Sequence, residues 1–355
     1  MKLKVPTLSD VARHAGVSYA TADRVVNARG RVAEKSASRV RAAIDQLGYV
    51  RNVDAANLAQ RRFYRFAIVL PVGSNAFFTR MRNLFLAAME QLQAERVALE
   101  VIEVKAFHPS SLRAALDRLA DDKVDGVALV GSEDVTVVEA IQKLRKANIP
   151  VMTLVSDVPG ADRNVYVGID NKVAGRTAGR LIALAHNSSR GRVVPIVGAL
   201  SARDHADRIS GMSEVLKSQH DIAPVIEGYD QHDLVEARVA QVLEDDRDVT
   251  AIYSAGAGNA GLIRVLERLP ECRRRPVAIL HELAPHSRRA LENGLIDIVI
   301  DQRPEDEMMR VVEGLRRLAD RRALPVTDPI VPAIFVRENL PPLPLARTER
   351  EREDT

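Results

Sequence analysis

The first fifty residues contain three short stretches in which apolar side chains recur at the spacing of an α-helix. In the first stretch these positions are Leu8, Val11, Ala12 and Ala15. Thr7, followed three residues later by Asp10, is typical of a helix start, and Gly16 is typical of a helix end. The pattern therefore predicts an amphipathic helix between Thr7 and Gly16.

The second stretch follows after only a few residues and has an unusual outer face. Ser18 can cap a helix whose inner face carries Ala22, Val25 and Val26. Its outer face carries Tyr19, Ala20, Asp23 and Arg24. Two helices joined by so short a turn predict a helix-turn-helix.

The third stretch supplies the helix that the first two need as a packing partner. Its apolar positions are Val40, Ala43, Ile44 and Leu47, with Gly48 directly after them. Two helices as short as the first pair cannot bury a core alone. A three-helix domain with another role would show the same pattern, so the pattern alone does not decide in favour of DNA binding.

From Phe66 onward, strand-like apolar runs alternate with helical segments. The runs are "RFAIVLP", "VALEVIEV", "VDGVALVG", "PVMTLVS", "RVVPIVG", "APVIEGY", "VTAIYSA", "RPVAILH" and "IDIVIDQ". Continuous apolar strands between helices predict parallel sheets covered on both faces. A break near residues 156–170 divides the runs into two groups, which predicts two lobes with a ligand cleft at the strand ends between them.

The predicted fold class is α/β, with two doubly wound parallel-sheet lobes preceded by a small all-α helix-turn-helix domain. The predicted boundaries are 1–50 for that domain, 51–64 for a linker, 65–342 for the two-lobed core and 343–355 for a disordered tail. The linker is polar and basic, and its short apolar part, Val53 to Gln60, has room for about two helical turns, which are marginal in water without a surface such as DNA. The tail has no apolar heptads, so no tetramerising coiled coil is expected.

Composition and charge narrow the class of protein. The chain has 355 residues, 46% hydrophobic and 28% charged, as expected for two or three globular domains. Its net charge is +3, but residues 1–62 alone carry +7 and the remainder carries −4. A basic module joined to a mildly acidic remainder is typical of a protein in which one part meets phosphates.

The sequence also predicts a cytoplasmic location. The start "MKLKVPTLSD" lacks an apolar signal region, and no window approaches about 18 uninterrupted apolar residues, so neither export nor membrane spanning is expected. The single cysteine, Cys272, lies in the polar run "PECRRRP" and can form no internal disulfide. We interpret it as a bystander in a reducing compartment.

The motifs resemble those of one known family. The segments "TLSDVARHAGVSYATADRVVN", "RVRAAIDQLGYVRN", "NLAQRR" and "FAIVLP" are similar to the LacI/GalR family of bacterial transcription regulators. In the core, "SNAFF", "VGIDNKVAGR", "ADRISGM" and "VIDQRP" are similar to periplasmic sugar-binding proteins of the ribose type. The resemblance covers nearly the whole chain. It implies a homodimeric repressor of a pseudo-palindromic operator, with a sugar or polyol effector between the lobes and with no catalytic residue, metal or cofactor.

The resemblance also implies a set of DNA contacts. Residues at base edges would be Tyr19, Ala20 and Arg24, residues at phosphates Ser18, Thr21 and Asn27, and the minor-groove wedge Leu58. Arginine can bind guanine through two hydrogen bonds, and an apolar wedge can unstack a base step. As alternatives, Tyr19 can lean on its own helix and Leu58 can pack against the core.

Three positions depart from the family pattern in this region. Asp23 replaces a small polar residue and would repel DNA unless it pairs with Arg24. Arg51 replaces a frequent proline before the linker, and Ala33 stands where a capping Ser or Thr is usual. These departures leave the motif intact and alter individual operator contacts.

For the effector, the resemblance implies a second set of residues, distributed over successive strand-end loops. They are Asn75, Phe77, Phe78, Asp170, Arg208, Glu282 and Gln302. Sugars need an aromatic platform together with planar groups that each serve two hydroxyls. As alternatives, the two phenylalanines can belong to the core, and Arg208 can form an ion pair with Glu282.

Two departures affect the predicted specificity. Where the ribose-type pattern has an Asp-Arg pair, this chain has Val155 and Ser156, so ribose itself is not expected. His281 beside Glu282 is a further departure. Either change can reshape the site.

One competing motif predicts an enzyme. "SAGAGNAG" contains Gly256, Gly258 and Gly261 at GxGxxG spacing, after a strand and before a helix, which is typical of dinucleotide binding. The acidic partner expected about 20 residues later is absent, since Glu271 and Glu282 both miss that spacing. A nucleotide-dependent cytoplasmic enzyme remains the alternative, and the basic amino-terminal module favours the regulator. A metal site at His281, Glu282 and His286 is disfavoured because adjacent strand positions face opposite ways.

Overall fold

The computed structural model describes residues 6–26, 30, 32–49, 62–187 and 189–342. The chain divides into two compact units, residues 1–62 and residues 63–355. The predicted linker helix and the predicted disordered tail lie outside the described residues.

The first unit contains three helices. They are α1 (Leu8–Ala15), α2 (Tyr19–Val26) and α3 (Glu34–Leu47). Thr7 caps α1 in a capping box with Asp10, and Gly16 ends the helix in a left-handed conformation. The buried core of the unit consists of Val11, Ala12, Ala15, Ala22, Val40 and Ala43. At the start of α3, Ala33 provides no side-chain cap, so this departure from the family pattern leaves a helix end without that hydrogen bond.

The first lobe of the second unit is built on a five-stranded parallel sheet. Its strands are β1 (Tyr64–Val72), β2 (Val97–Lys105), β3 (Gly126–Val130), β4 (Val151–Leu154) and β5 (Val165–Val167), in the order β2-β1-β3-β4-β5. Its connecting helices are α4 (Ala76–Ala94), α5 (Pro109–Asp122) and α6 (Val135–Lys146). Two apolar clusters, one on each face of the sheet, account for the continuous apolar strands.

The second lobe contains a larger sheet. Its strands are β6 (Arg192–Val197), β7 (Asp221–Ile222), β8 (Ile226–Glu227), β9 (Val249–Ser254), β10 (Val277–His281), β11 (Ile298–Asp301) and β12 (Ala333–Phe335). The strand order is β12-β11-β10-β9-β6-β7, and β8 also pairs with β6. The helices of this part of the chain are α7 (Asn171–His186), α8 (Arg203–Leu216), α9 (His232–Asp245), α10 (Asn259–Glu267), α11 (Pro285–Glu292) and α12 (Pro304–Ala319).

Two strands differ from the sequence prediction. The segment 156–170, interpreted as a break between lobes, contains β5, which extends the first sheet. The predicted sheets are parallel, but β12 pairs antiparallel with β11. Both strands are only three residues long and lie at sheet edges, so their patterns are too short to detect.

The two lobes are not consecutive halves of the chain. Helix α12 follows β11 of the second sheet, yet its residues Val311 and Leu315 belong to the apolar core of the first lobe. A bridge between Ile169 and Ile330 also brings the later segment beside the end of the first lobe. The chain therefore crosses between the lobes more than once, which is the arrangement of a hinge.

Candidate functional site

The helix-turn-helix presents an exposed face on α2. Ala22 is buried, whereas Tyr19 is 57% exposed and Ala20 and Arg24 are also exposed. Ser18 begins the helix because its Oγ accepts the N–H of Thr21 at 3.2 Å and lies 2.9 Å from the hydroxyl of Thr21. This face is therefore available to a partner.

Two other members of the predicted DNA contacts, Asn27 and Leu58, lie outside the described residues, as does Arg51. Asp23 is half-buried beside the exposed Arg24.

The second unit contains a cavity between its lobes, which we call the inner cavity. Its volume is about 210 Å³. The first lobe contributes Asn75, Phe78 and the loop after β3, and the second lobe contributes Asp204, His205 and Asp230. The cavity thus lies at the carboxyl ends of the strands, where open parallel sheets bind ligands.

Asn75 holds the two lobes together at the edge of the inner cavity. It caps α4 by accepting the N–H of Phe77 at 3.0 Å, and its Nδ2 donates to Oδ2 of Asp230 at 2.9 Å. The hydroxyl of Ser74 donates to the backbone carbonyl of Asp230. A second link between the lobes is the ion pair of Arg203 with Glu133, at 3.0 Å.

Arg208 is buried and forms hydrogen bonds to two other segments of the chain. Its Nε donates to Oδ1 of Asn171 and its Nη1 to the carbonyl of Ala255, both at 2.8 Å. Its Nη2 has no hydrogen-bond partner among the described residues and lies 4.0 Å from Oδ2 of Asp204. Arg208 does not line the inner cavity itself.

The position of Arg208 depends on the close packing of α7 against α8. An added Cβ at Gly175 would lie 2.0 Å from the carbonyl oxygen of Arg208. On the facing helix, an added Cβ at Gly211 would lie 2.1 Å from the carbonyl oxygen of Lys172. Glycine at both positions lets the two backbones approach closely enough for Arg208 to reach Asn171.

Glu282 and Gln302 form a buried pair. Nε2 of Gln302 donates to Oε1 of Glu282 at 2.7 Å. Burial, with the nearby Asp301, raises the pKa of Glu282 to about 8, so its carboxyl group is mostly protonated at neutral pH. Its Oε2 lacks a hydrogen-bond partner among the described residues, and no salt bridge joins it to Arg208 there. The alternative, an ion pair of Arg208 with Glu282, is therefore not found among the described residues.

A further buried acid lies near this pair. Glu307 on α12 is 0% exposed, and burial, together with the neighbouring Glu282, raises its pKa well above the usual value. Both of its carboxylate oxygens lack hydrogen-bond partners among the described residues. Burial thus raises the pKa of two neighbouring carboxyl groups in this part of the core, Glu282 and Glu307.

The remaining predicted effector residues occupy different environments. Phe78 is half-buried and lines the inner cavity, whereas Phe77 is 5% exposed and belongs to the core of the first lobe. The ring centroids of the two phenylalanines are 5.3 Å apart. Asp170 is exposed and caps α7 by accepting the N–H of Val173 at 2.8 Å. Asp170 does not line the inner cavity.

The inner cavity is also lined by Asp204, His205 and Asp230, which the sequence motifs did not indicate. Although burial opposes its ionisation, His205 and Arg208 hold the pKa of Asp204 below the usual value. Burial raises the pKa of Asp230. A signal for Asp204 existed, because it lies one helical turn before Arg208, and Asp230 directly follows the strand-like run "APVIEGY".

The glycine-rich turn has a packing explanation. A Cβ added at Gly256 would lie 2.4 Å from the backbone nitrogen of Gly198. A Cβ added at Gly261 would lie 1.9 Å from the carbonyl oxygen of His232. Gly258 has a left-handed backbone, with φ of 92°. Adjacent strands and helices therefore require these glycines without any bound pyrophosphate.

The residues of the disfavoured metal site, His281, Glu282 and His286, all line one small pocket. His281 is buried, its Nε2 lies 2.9 Å from the hydroxyl of Tyr253, and burial lowers its pKa well below the usual value. The described part of the chain contains no group of three or more His, Cys, Asp or Glu side chains placed to hold a metal ion. Over the same residues, no helix is long and apolar enough to cross a lipid bilayer.

A helix-turn-helix unit and a two-lobed core with a polar cleft define the class of regulators that have a binding-protein core. The profile of the family described as bacterial regulatory proteins, lacI family, matches residues 7–52, and the profile described as periplasmic binding protein domain matches residues 66–322. The chain belongs to the LacI/GalR family, with a core of the periplasmic binding protein domain family.

Curated relatives are similar over part of their length. The chain is 27% identical over 213 residues to the HTH-type transcriptional regulator DegA of Bacillus subtilis, covering 59% of this chain and 60% of that protein. It is 27% identical over 219 residues to catabolite control protein A of Staphylococcus epidermidis, covering 61% and 62%. The matched part thus spans about 60% of these relatives.

Solved structures confirm the fold of the core. GanP, a glucose-galactose binding protein from Geobacillus stearothermophilus, has a TM-score of 0.70 and 24% identity, covering 79% of this chain and 99% of that one. A periplasmic solute binding protein from Actinobacillus succinogenes, solved with bound D-allose, has a TM-score of 0.70 and 18% identity, covering 78% and 98%. The two-lobed architecture predicted from the sequence is therefore correct.

Proposed function

We propose that this protein is a sugar-responsive transcription regulator that binds a pseudo-palindromic operator as a homodimer. One observation carries the proposal: a helix-turn-helix with an exposed face on its second helix is joined in one chain to a core with a polar cavity between two lobes. A single helix-turn-helix reads only a half-site, so two-fold symmetry is needed for a full operator. The protein acts in the cytoplasm, without catalysis.

The DNA side rests on charge and exposure. The net charge of +7 on residues 1–62 attracts phosphates, and the exposed Tyr19, Ala20 and Arg24 read base edges in the major groove. Ser18, Thr21 and Asn27 bind phosphates, and Leu58 wedges into the minor groove.

The effector side rests on the lining of the inner cavity. Phe78 offers an aromatic face, and Asn75, Asp204, His205 and Asp230 offer donors and acceptors for hydroxyl groups. Arg208 lies beside Asp204, and Glu282 lines a small neighbouring pocket with Asn75. Each has a polar atom without a partner among the described residues, and Gln302 orients Glu282. Asp170, which caps a helix, and Phe77, which lies in the core, are assigned no sugar contact.

The switch couples these two sides. An effector that contacts both lobes stabilises one arrangement of them, and the linker transmits that arrangement to the DNA-binding unit. The change in DNA affinity cannot exceed the effector's differential affinity for the two arrangements. Release from DNA on effector binding is the expected sign.

Two measurements test this proposal. Sedimentation of the full-length protein with operator DNA should show two protomers per operator at saturation, and one protomer per site would contradict it. A melting-temperature screen with pentoses, hexoses, inositols and NAD should show stabilisation by a carbohydrate and none by NAD. Stabilisation by NAD alone would favour the enzyme alternative.

A matched pair of variants tests the cavity. Asp204→Asn keeps the side-chain shape and removes a buried charge from the cavity wall, so sugar affinity should fall about tenfold while operator affinity stays unchanged. Asp207→Asn, on the same helix but paired with Arg203 outside the cavity wall, is the control. Equal sugar affinity in both variants would contradict the assignment of Asp204.

A further inference from the structure

The cleft continues beyond the inner cavity into a second space, which we call the outer cavity. Its volume is about 480 Å³, more than twice the inner volume of about 210 Å³. Asn75, Phe78, Phe107 and Asp230 line both cavities, so the two spaces share a boundary. Tyr229 lines only the outer cavity, and His205 lines only the inner one.

Aromatic rings from both lobes meet at this boundary. Phe107 follows β2 in the first lobe, and Tyr229 follows β8 in the second lobe. Their ring centroids are 6.2 Å apart with an interplanar angle of 81°, and the ring of Phe107 is 6.4 Å from that of His205. Phe107 therefore stands between the two cavities, and Tyr229 forms a wall of the outer one.

The backbone at this boundary is unusual. Phe107, Tyr229 and Asp230 all have left-handed conformations, with φ of 57°, 47° and 58°. Such conformations are uncommon for bulky side chains and cost free energy. Core packing does not explain Tyr229, since 45% of this residue is exposed. The fold thus holds an aromatic ring at the mouth of the cleft despite a backbone cost.

Asp230 supplies the polar group at the same boundary. It is only 4% exposed, and its Oδ2 accepts the hydrogen bond from Asn75. Its Oδ1 has no hydrogen-bond partner among the described residues. A buried acceptor without a partner costs free energy unless a ligand donates to it. A hydroxyl group at the junction of the two cavities would supply that donor.

We propose that the effector is a two-ring saccharide, with one sugar ring in the inner cavity and a glycosidically linked second ring in the outer cavity against Phe107 and Tyr229. This inference rests on the proposed function. The volume of the inner cavity lies below roughly 300 Å³, the lower end of the usual range for ligand pockets, so the cavity suits a single sugar ring. Aromatic faces match the apolar face of a second sugar ring. The exposed Lys105 and His108 line both cavities and can reach its hydroxyl groups.

The test compares the affinities of the full-length protein for monosaccharides and for disaccharides. Calorimetry is carried out with D-glucose, D-galactose and D-xylose, and with α- and β-linked disaccharides built from each. The variant Tyr229→Asn removes the ring but tolerates the left-handed backbone, and Leu184→Ala, at an exposed position that lines neither cavity, is the control. At least one disaccharide should bind about tenfold more tightly than its component monosaccharide.

Tyr229→Asn should reduce that preference to about threefold or less without changing monosaccharide affinity, and Leu184→Ala should keep the full preference. A monosaccharide that binds as tightly as every disaccharide containing it would overturn the outer subsite and leave the proposed function standing. Binding of no saccharide of either length would overturn both. Equal weakening of both ligand sizes by Tyr229→Asn would make that residue structural and overturn its place in the subsite.

Discussion

The exposed face of α2 and the cleft of the core use polar side chains in opposite ways. On α2 they stand in solvent, where Tyr19 is 57% exposed and Arg24 is exposed as well. In the cleft they are buried, and Asp204, Glu282 and Glu307 have shifted pKa values. From this difference we expect the exposed face of α2 to act through long-range electrostatic attraction, which salt screens. We expect the cleft to act through short-range contacts, which depend on pH and on packing.

The largest expected difference between the two surfaces is the dependence of their binding affinities on salt concentration. If each protomer neutralises about 4–6 phosphates, the logarithm of operator affinity should fall with the logarithm of salt at a slope of about −4 to −5 per half-site. Between 50 and 200 mM salt, the dimer should therefore lose about 10⁵-fold to 10⁶-fold in affinity. Fluorescence anisotropy over a salt series measures this loss.

The control for the salt series is the binding of a neutral saccharide to the same protein. Because no phosphate is neutralised in the cleft, its affinity should change by less than about twofold over the same range. Equal slopes for DNA and saccharide, or a slope near zero for DNA, would contradict the comparison.

Packing should be the next most sensitive property of the cleft. In Gly175→Ala the new Cβ would lie 2.0 Å from the carbonyl oxygen of Arg208, so α7 and α8 must separate. We expect a loss of about 3 kcal/mol or more in the free energy of unfolding, measured by urea denaturation. Gly160→Ala, where the Cβ meets nothing within 4 Å, is the matched control and should be nearly neutral. Equal stability of the two variants would mean that the close approach is not required.

The pH dependence of stability should identify Glu282. Its pKa is raised to about 8 in the folded protein, above its ordinary value of 4.5, so its contribution to stability is present at low pH and is lost as pH rises through 8. Relative to Glu282→Gln, the wild type should therefore lose about 3 kcal/mol of stability between pH 5 and pH 8. Glu244→Gln, at an exposed position, is the control and should run parallel to the wild type. Parallel curves for Glu282→Gln as well would place the carboxyl group in solvent.

A single side chain on α2 should have the smallest effect. Arg24→Ala should cost about 1–3 kcal/mol of operator affinity and relax base preference at one position. Arg41→Ala, on α3 and paired with Glu34, is the control and should leave base preference unchanged. Affinity is measured on operators substituted one base pair at a time. Uniform weakening by Arg24→Ala over all sequences would make Arg24 a phosphate contact.

The helix-turn-helix and the alternation of strands and helices could be predicted because they depend on local patterns. The capping box at Thr7 and the apolar face of α1 occupy consecutive turns of the chain. The predicted contacts of Asn27 and Leu58 stay predictions, since these residues lie outside the described part of the chain.

The inner cavity was harder to predict because its walls meet only in the folded core. Asp230 faces Asn75 across 155 positions of the chain, and β8, which precedes it, is only two residues long. Helix α12 joins the first lobe from the far end of the sequence, so Glu307 lies near Glu282 without any local pattern. The glycine-rich motif at Gly256 is a local pattern that has two possible causes. Close backbone packing requires glycine at the same positions at which a bound pyrophosphate would require it.

The coupling between the two surfaces is the central claim, and a reciprocal titration tests it most directly. Operator affinity is measured with and without the tightest saccharide found by calorimetry, and saccharide affinity is measured with and without saturating operator DNA. We expect both affinities to fall by the same factor, within the roughly 5–150-fold range of coupled sites. A saccharide that binds the cleft while operator affinity stays unchanged would contradict it.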